Sequence, residues 1–190
     1  MIYTLVKSGF TIILKIFFRI QIIGAENIPD KGPVIICSNH ISWWDPPLMA
    51  VINPRPSTYM AKEELFENFI FKRIMYALGG FPVRRGVADR KAIKTALNNL
   101  HQGKALTLFP EGTRSKTGKL LKPLPGAGYI ALKSKAPVVP VAIKGPFKLF
   151  KKTTVRIGRP FYAEDIKIDE KGKTIDQVSG SIMQAIADML

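Results

Sequence analysis

The chain has 190 residues, 46% of them hydrophobic, with one cysteine and 29 Lys plus Arg against 14 Asp plus Glu, a formal net charge of +15. That length and apolar content fit one domain with a sizeable core and exclude an intrinsically disordered chain. A lone cysteine excludes an internal disulfide framework and fits a reducing compartment, while the charge calls for an anionic partner: nucleic acid, or anionic lipid and phosphorylated substrates.

Residues 1–23 are apolar but interrupted by Lys7, Lys15 and Arg19. The uncharged run 8–14 is too short to span a bilayer, and no apolar stretch leads into a small-residue cleavage site. On a helical wheel Thr4, Lys7, Ser8, Thr11, Lys15 and Arg19 fall within roughly 120°, with Phe18 the one large intruder. Residues 1–23 are therefore expected to form an amphipathic helical segment with a purely basic polar face, suited to an anionic membrane surface. Packing of the same helix on the core is the competing reading. Residues 24–33 are a loop by their Gly, Pro and Asn content.

Residues 34–37, V-I-I-C, read as a short buried strand that runs into a polar turn with Ser38, Asn39 and His40. Asp45 follows five residues after His40 and precedes Pro46 and Pro47, a helix-start pattern in which Asp caps and Pro takes the first position. An imidazole at the mouth of a strand and a carboxylate at the start of the next helix have the arrangement of a base and its orienting acid. A plain helix cap and a loop histidine would give the same letters. Trp43 and Trp44 lie in this turn and suit either a lipid interface or packing beneath it. Cys37, in the strand, reads as a small buried hydrophobe rather than a nucleophile.

A strand over 57–61 leads to Lys62, and helical periodicity runs through Leu65, Phe66, Phe69, Ile70, Ile74 and Leu78 to Gly79-Gly80. F-P-V-R-R-G follows, with Arg84 and Arg85 closing a short apolar strand. Adjacent guanidinium forks match phosphate oxygens, although arginines also populate ordinary surfaces. Residues 89–101 are helical, and His101 sits at a helix C-terminus, where it needs no chemical role. Two histidines and no Cys or acid cluster at ligand spacing give no metal site.

Residues 105–109 form a second buried strand that empties into P-E-G-T-R-S. Glu111, Gly112, Thr113 and Arg114 bring an acid, a permissive backbone, a hydroxyl and a guanidinium together; the turn lacks the Gly-Lys-Ser/Thr ending of a Walker loop. A surface turn with a local Glu–Arg pair is the plain alternative. A helix opens at 125, a third buried strand covers 138–143, another strand covers 153–157, and Thr174 with Gln177 makes a capping box for a terminal helix. Alternating strands and helices predict an α/β fold, one domain with a central mixed sheet flanked by helices. Because functional groups gather where strands end, the turns at His40, at Arg84–Arg85 and at Glu111–Arg114 are expected to share one site.

Four blocks in order resemble the glycerolphosphate acyltransferases, in particular the bacterial 1-acyl-glycerol-3-phosphate acyltransferases of the PlsC type: N-H-I-S-W-W-D (39–45), G-G-F-P-V-R-R-G (79–86), F-P-E-G-T-R-S (109–115) and V-P-V-A-I-K-G (139–145). The resemblance covers roughly residues 24–160 and rests mainly on the first and third blocks. It implies an acyltransferase domain over 24–190 preceded by the amphipathic segment 1–23. It implies acyl transfer from a thioester to the 2-hydroxyl of 1-acyl-glycerol 3-phosphate. His40 would be the general base and Asp45 its orienting acid. Arg84 or Arg85, with Arg114, would hold the phosphate, and Glu111, Gly112 and Thr113 would shape the substrate pocket. Lys62 would match a lysine that similar proteins carry after the second strand.

Acyl carrier protein or coenzyme A would bring the acyl group as a co-substrate, and no bound cofactor or metal is implied. The expected setting is the cytoplasmic face of the cell membrane, with peripheral or monotopic attachment. The chain is short for this family, and its N-terminus carries an amphipathic segment in place of a spanning helix. The rival readings are a sister enzyme that acylates glycerol 3-phosphate or another lysolipid, a catalytically silent lipid-binding relative, and a basic nucleic-acid-binding module. The last explains the charge but neither the His40–Asp45 turn nor the apolar face of 1–23.

Overall fold

Strand β2 (Val34–Ser38) is buried at every position and occupies the middle of a seven-stranded sheet in a computed structural model that describes residues 2–166 and 174–190. The other strands are β1 (Arg19–Ile23), β3 (Ser57–Lys62), β4 (Gly80–Val83), β5 (Ala105–Leu108), β6 (Val138–Lys144) and β7 (Lys152–Ile157), in the order β1-β7-β6-β2-β5-β3-β4. β2 to β6 run parallel; β7 is antiparallel to β6, and β1 is parallel to β7. A strand covered on both faces has no polar side to alternate, so β2, β5 and β6 read as near-continuous apolar runs.

The two faces of β2 feed two cores. Ile35 and Cys37 join the cluster built with α4 (Arg90–His101), α5 (Pro125–Ser134) and α6 (Ile175–Ala187). Val34 and Ile36 point the other way, to Leu14 of α1 (Ile2–Phe17) and to Leu48, Met49 and Ile52 of α2 (Asp45–Ile52). This is the period-two alternation of a pleated strand serving both layers of a sandwich. Helix starts follow local chemistry: Asp89 accepts from the Ala92 N–H to cap α4, and Thr174 and Gln177 form the expected capping box of α6.

Three sequence expectations need correction. The N-terminal helix ends at Phe17, and residues 19–23, expected to be helical, pair with β7 as strand β1 and belong to the sheet. Phe18 causes the break. It is buried against Trp44 (centroids 5.1 Å apart) and Phe147 (5.9 Å), which turns the chain off the helix axis into the sheet edge. The periodic stretch 65–78 is a 3-10 turn, Glu63–Phe66, followed by a separate helix α3 (Phe69–Ala77), capped by Asn68 and ended by Gly79. Gly79 is required there: its φ is +86°, and a Cβ would lie 2.5 Å from the Ser57 carbonyl oxygen. Asp45 opens α2 but does not cap it, because its carboxylate turns back toward the preceding loop.

Helix α1 packs Leu14 inward, and Lys7 on its polar arc donates to the Asn53 carbonyl at 2.6 Å, at the C-terminal end of α2. Burial without an acidic partner holds the Lys7 pKa below its ordinary value. The opposite side of the helix leaves Leu5, Ile12 and Ile16 exposed. Among the described residues no helix is long and apolar enough to cross a membrane.

Candidate active site

Five parallel strands end on one edge of the sheet, and each sequence-predicted site residue lies on or just beyond that edge. β2 delivers His40. Beyond the last paired residue, Asn39 extends the β2–β6 pairing with its side chain: Nδ2 donates to the Ile143 carbonyl (2.9 Å) and Oδ1 accepts from the Ile143 N–H (2.8 Å). The residue before the histidine is thus fixed as firmly as a strand residue.

The turn 40–45 then wraps around one carboxylate oxygen. Asp45 Oδ2 accepts from the Ile41 N–H (2.6 Å), the Ser42 N–H (2.7 Å) and His40 Nδ1 (2.7 Å), and Asp45 is fully buried. Its other oxygen, Oδ1, is buried with no protein partner. Three donors on one oxygen hold the carboxylate as an acceptor, which assigns the proton of the imidazole to Nδ1. Nε2 has no protein partner among the described residues and carries the lone pair. The ring stacks on Phe109 at 4.3 Å between centroids and 22° between planes. Phe109 follows β5, the strand beside β2, so the sheet itself sets the ring's plane.

The P-E-G-T-R-S turn grips the histidine through its main chain. Glu111 Oε1 accepts from the His40 N–H at 2.8 Å, Glu111 Oε2 accepts from the Leu121 N–H at 2.9 Å, and the Ser115 N–H donates to the His40 carbonyl at 2.8 Å. Glu111 is buried; burial raises its pKa, and the bonds from His40 and Leu121 oppose that rise without cancelling it. With both oxygens engaged by backbone, Glu111 fixes the position of His40. Gly112 makes the tight turn after it with φ +68°.

Thr113 is exposed and Arg114 is half-buried. The Arg114 guanidinium lies 4.3 Å over the ring of Trp43, which is 79% exposed, whereas Trp44 is tucked against Phe10 and Phe18. Arg84 and Arg85 follow β4, three strands from β2, roughly 14 Å across the sheet at ~4.8 Å per strand. Arg84 is tied to Asp89, by its N–H at 2.9 Å and its Nε at 3.8 Å; Arg85 makes no ion pair among the described residues. Lys62 ends β3 and is paired with Glu64 at 2.8 Å. The structure thus brings His40, Asp45, Glu111 and Gly112 into one hydrogen-bonded unit and leaves Thr113, Arg114, Lys62, Arg84 and Arg85 around its rim. Sequence reasoning missed Asn39, Phe109 and Ser115 as supports. Their signal was adjacency to His40 and to the acidic turn, which becomes informative only once β2 and β5 are known to be neighbours.

A buried His–Asp pair at the carboxyl edge of an α/β sheet, with cations around it, has the arrangement of a base and its orienting acid, the site of a group-transfer enzyme. Cys37 is buried, and that burial pushes its thiol up to about 12, removing it as a nucleophile. The chain belongs to the acyltransferase family, whose profile matches residues 19–144. It is 36% identical over 170 residues to a 1-acyl-sn-glycerol-3-phosphate acyltransferase of Bacillus subtilis, covering 86% of this chain and 84% of the relative. A Streptococcus pneumoniae enzyme of the same name is 33% identical over 75% of this chain, which spans 55% of that relative. The crystal structure of the 1-acyl-sn-glycerophosphate acyltransferase PlsC from Thermotoga maritima superposes with a TM-score of 0.75 at 28% identity, covering 99% of this chain and 78% of that one.

Proposed function

We propose that the protein transfers an acyl group from an acyl thioester to the 2-hydroxyl of 1-acyl-glycerol 3-phosphate, making phosphatidic acid, and that His40 acts as the base. The observation that carries the reading is the 2.7 Å bond from His40 Nδ1 to Asp45 Oδ2, which leaves Nε2 as the basic atom of the ring. The relatives named above support the choice of acceptor.

Nε2 takes the proton of the acceptor hydroxyl as its oxygen attacks the thioester carbonyl carbon. The imidazolium that forms is stabilised by Asp45. The tetrahedral intermediate collapses with cleavage of the C–S bond, and His40 returns the proton to the departing sulfur. The acceptor supplies the nucleophile, so no acyl-enzyme forms. Arg114 and Arg85 hold the phosphate; Arg85 is preferred over Arg84 because Asp89 already neutralises part of the Arg84 charge. Lys62 lies on the rim as a donor for the developing oxyanion once it leaves Glu64.

Coenzyme A or acyl carrier protein brings the acyl group. The protein attaches peripherally to the cytoplasmic face of an anionic membrane, supported by its net charge of +15, the exposed Leu5, Ile12 and Ile16 of α1, and Trp43 at the rim of the site. The test is product analysis by mass spectrometry with each thioester and each acceptor. Phosphatidic acid from 1-acyl-glycerol 3-phosphate, and no product from glycerol 3-phosphate, is the expected result. Acylation of glycerol 3-phosphate in preference to the lysolipid would overturn the choice of acceptor.

A further inference from the structure

Helix α3 (Phe69–Ala77), F-I-F-K-R-I-M-Y-A, buries none of its residues, unlike every other α-helix among the described residues. Phe69 is 71% exposed and Ile70 66%; Phe71, Ile74 and Tyr76 are also exposed, as is Leu65 in the turn before them. Its packing is slight, Tyr76 against the buried Phe66 (centroids 5.1 Å apart) and a half-buried Met75; a nine-residue helix so little packed is marginal in water, and a contiguous exposed apolar patch marks an interaction surface. The only charges on the helix are Lys72 and Arg73, and the Arg73 guanidinium lies 5.7 Å over the Phe69 ring. Acidic groups are confined to the preceding turn, Glu63, Glu64 and Glu67, with Glu64 paired to Lys62.

Topology places this patch. The parallel crossover from β3 to β4 continues in the direction of the one from β2 to β3, so the right-handed rule puts α3 on the same sheet face as α2 and α1. The crossovers through α4 and α5 run the opposite way and pack on the other face, as the rule requires. α3 starts seven residues after Lys62 and therefore at the active-site edge. The exposed apolar side chains of α1 (Leu5, Ile12 and Ile16) lie on that same face.

We propose that α3 is a second membrane-inserting element, which enters the interfacial layer of an anionic bilayer together with α1, on the same face of the sheet, and turns the edge that carries His40 toward the lipid. The occupant is an anionic lipid surface. Aromatic and aliphatic side chains interleaved only with cations match its apolar boundary and its charged headgroups, and the whole chain carries a net charge of +15. The inference rests on the membrane attachment proposed above and adds which helices make it.

Cys37 is the chain's only cysteine and is buried, so a single introduced cysteine takes a label alone. The experiment labels Ile70→Cys and, separately, Ile12→Cys in the full chain with an environment-sensitive nitrobenzoxadiazole. Each is titrated with phosphatidylglycerol–phosphatidylethanolamine vesicles containing brominated acyl chains. Quenching at both positions is expected. Quenching at 12 and none at 70 would overturn the role of α3 and leave membrane attachment standing; quenching at neither would overturn both. A blue shift at 70 that grows with protein concentration without vesicles would overturn the proposal in favour of self-association. The double variant Phe69→Ser/Phe71→Ser is expected to lose about tenfold or more in vesicle partitioning. It should keep its turnover of a water-soluble short-chain lysolipid. Unchanged partitioning would contradict the proposal.

Discussion

Glu111 holds His40 by its backbone: one carboxylate oxygen accepts from the His40 N–H at 2.8 Å and the other from the Leu121 N–H at 2.9 Å. An acid in a polar turn beside an arginine would suit substrate binding, yet both its oxygens are committed to the protein. What it fixes is the position of the His40 main chain.

Removing that clamp should therefore act on turnover. Glu111→Ala leaves two buried N–H groups without an acceptor and is expected to lower stability by about 2–4 kcal/mol. Glu111→Asp keeps the charge but is one methylene short of bridging His40 and Leu121. It should fold and lose on the order of a hundredfold in kcat with a small change in KM. Steady-state kinetics and thermal melts of both variants check this; a KM effect alone would assign Glu111 to substrate binding.

The Arg114–Trp43 stack should tune acceptor affinity. Trp43 is 79% exposed, so Trp43→Ala removes little packing but frees the guanidinium that its ring holds at 4.3 Å. A cation–π contact at an exposed site contributes about 0.5–1 kcal/mol, which corresponds to a KM for the lysolipid raised roughly two- to fivefold at constant kcat. Trp43→Tyr should restore most of it.

Asp89 and Glu111 should respond to pH in opposite senses. Backbone bonds from Arg84 and Ala92 hold the Asp89 pKa below its ordinary value. Its contribution to stability is present above that ordinary value, ~3.9, and is lost as pH falls through the lowered one. Burial holds Glu111 above its ordinary value, ~4.3, so its contribution is present below that value and lost as pH rises through the raised one. Melting temperatures against pH should show the wild-type advantage over Asp89→Asn shrinking in acid, and that over Glu111→Gln shrinking as pH rises.

Cys37 should be silent. Buried in β2 with its thiol pushed up to about 12, it should resist iodoacetamide in the native protein, with no loss of activity, and react fully in denaturant. Alkylation of the folded enzyme would show that β2 opens far more readily than its burial implies.

Much of this is legible in the sequence. β2, β5 and β6 are central parallel strands, so their apolar runs and the polar turns that end them stand out in the sequence, and the His40–Asp45 spacing with them. β1 was not legible. R-I-Q-I-I continues the apolar character of α1, and what makes it a strand is pairing with β7, a partner 133 residues away in register. The role of Glu111 depends on a contact 71 residues distant. Periodicity located the apolar face of α3, but a local pattern does not say what covers that face, and among the described residues it stays largely exposed.

The most direct test of the account is acceptor-dependent thiol release. Wild type and His40→Ala are given acyl-coenzyme A or acyl carrier protein thioester, with and without 1-acyl-glycerol 3-phosphate. Direct transfer with His40 as base predicts release that requires the lysolipid and falls by at least about three orders of magnitude in the variant. Release without the acceptor, or release that survives in His40→Ala, would contradict it.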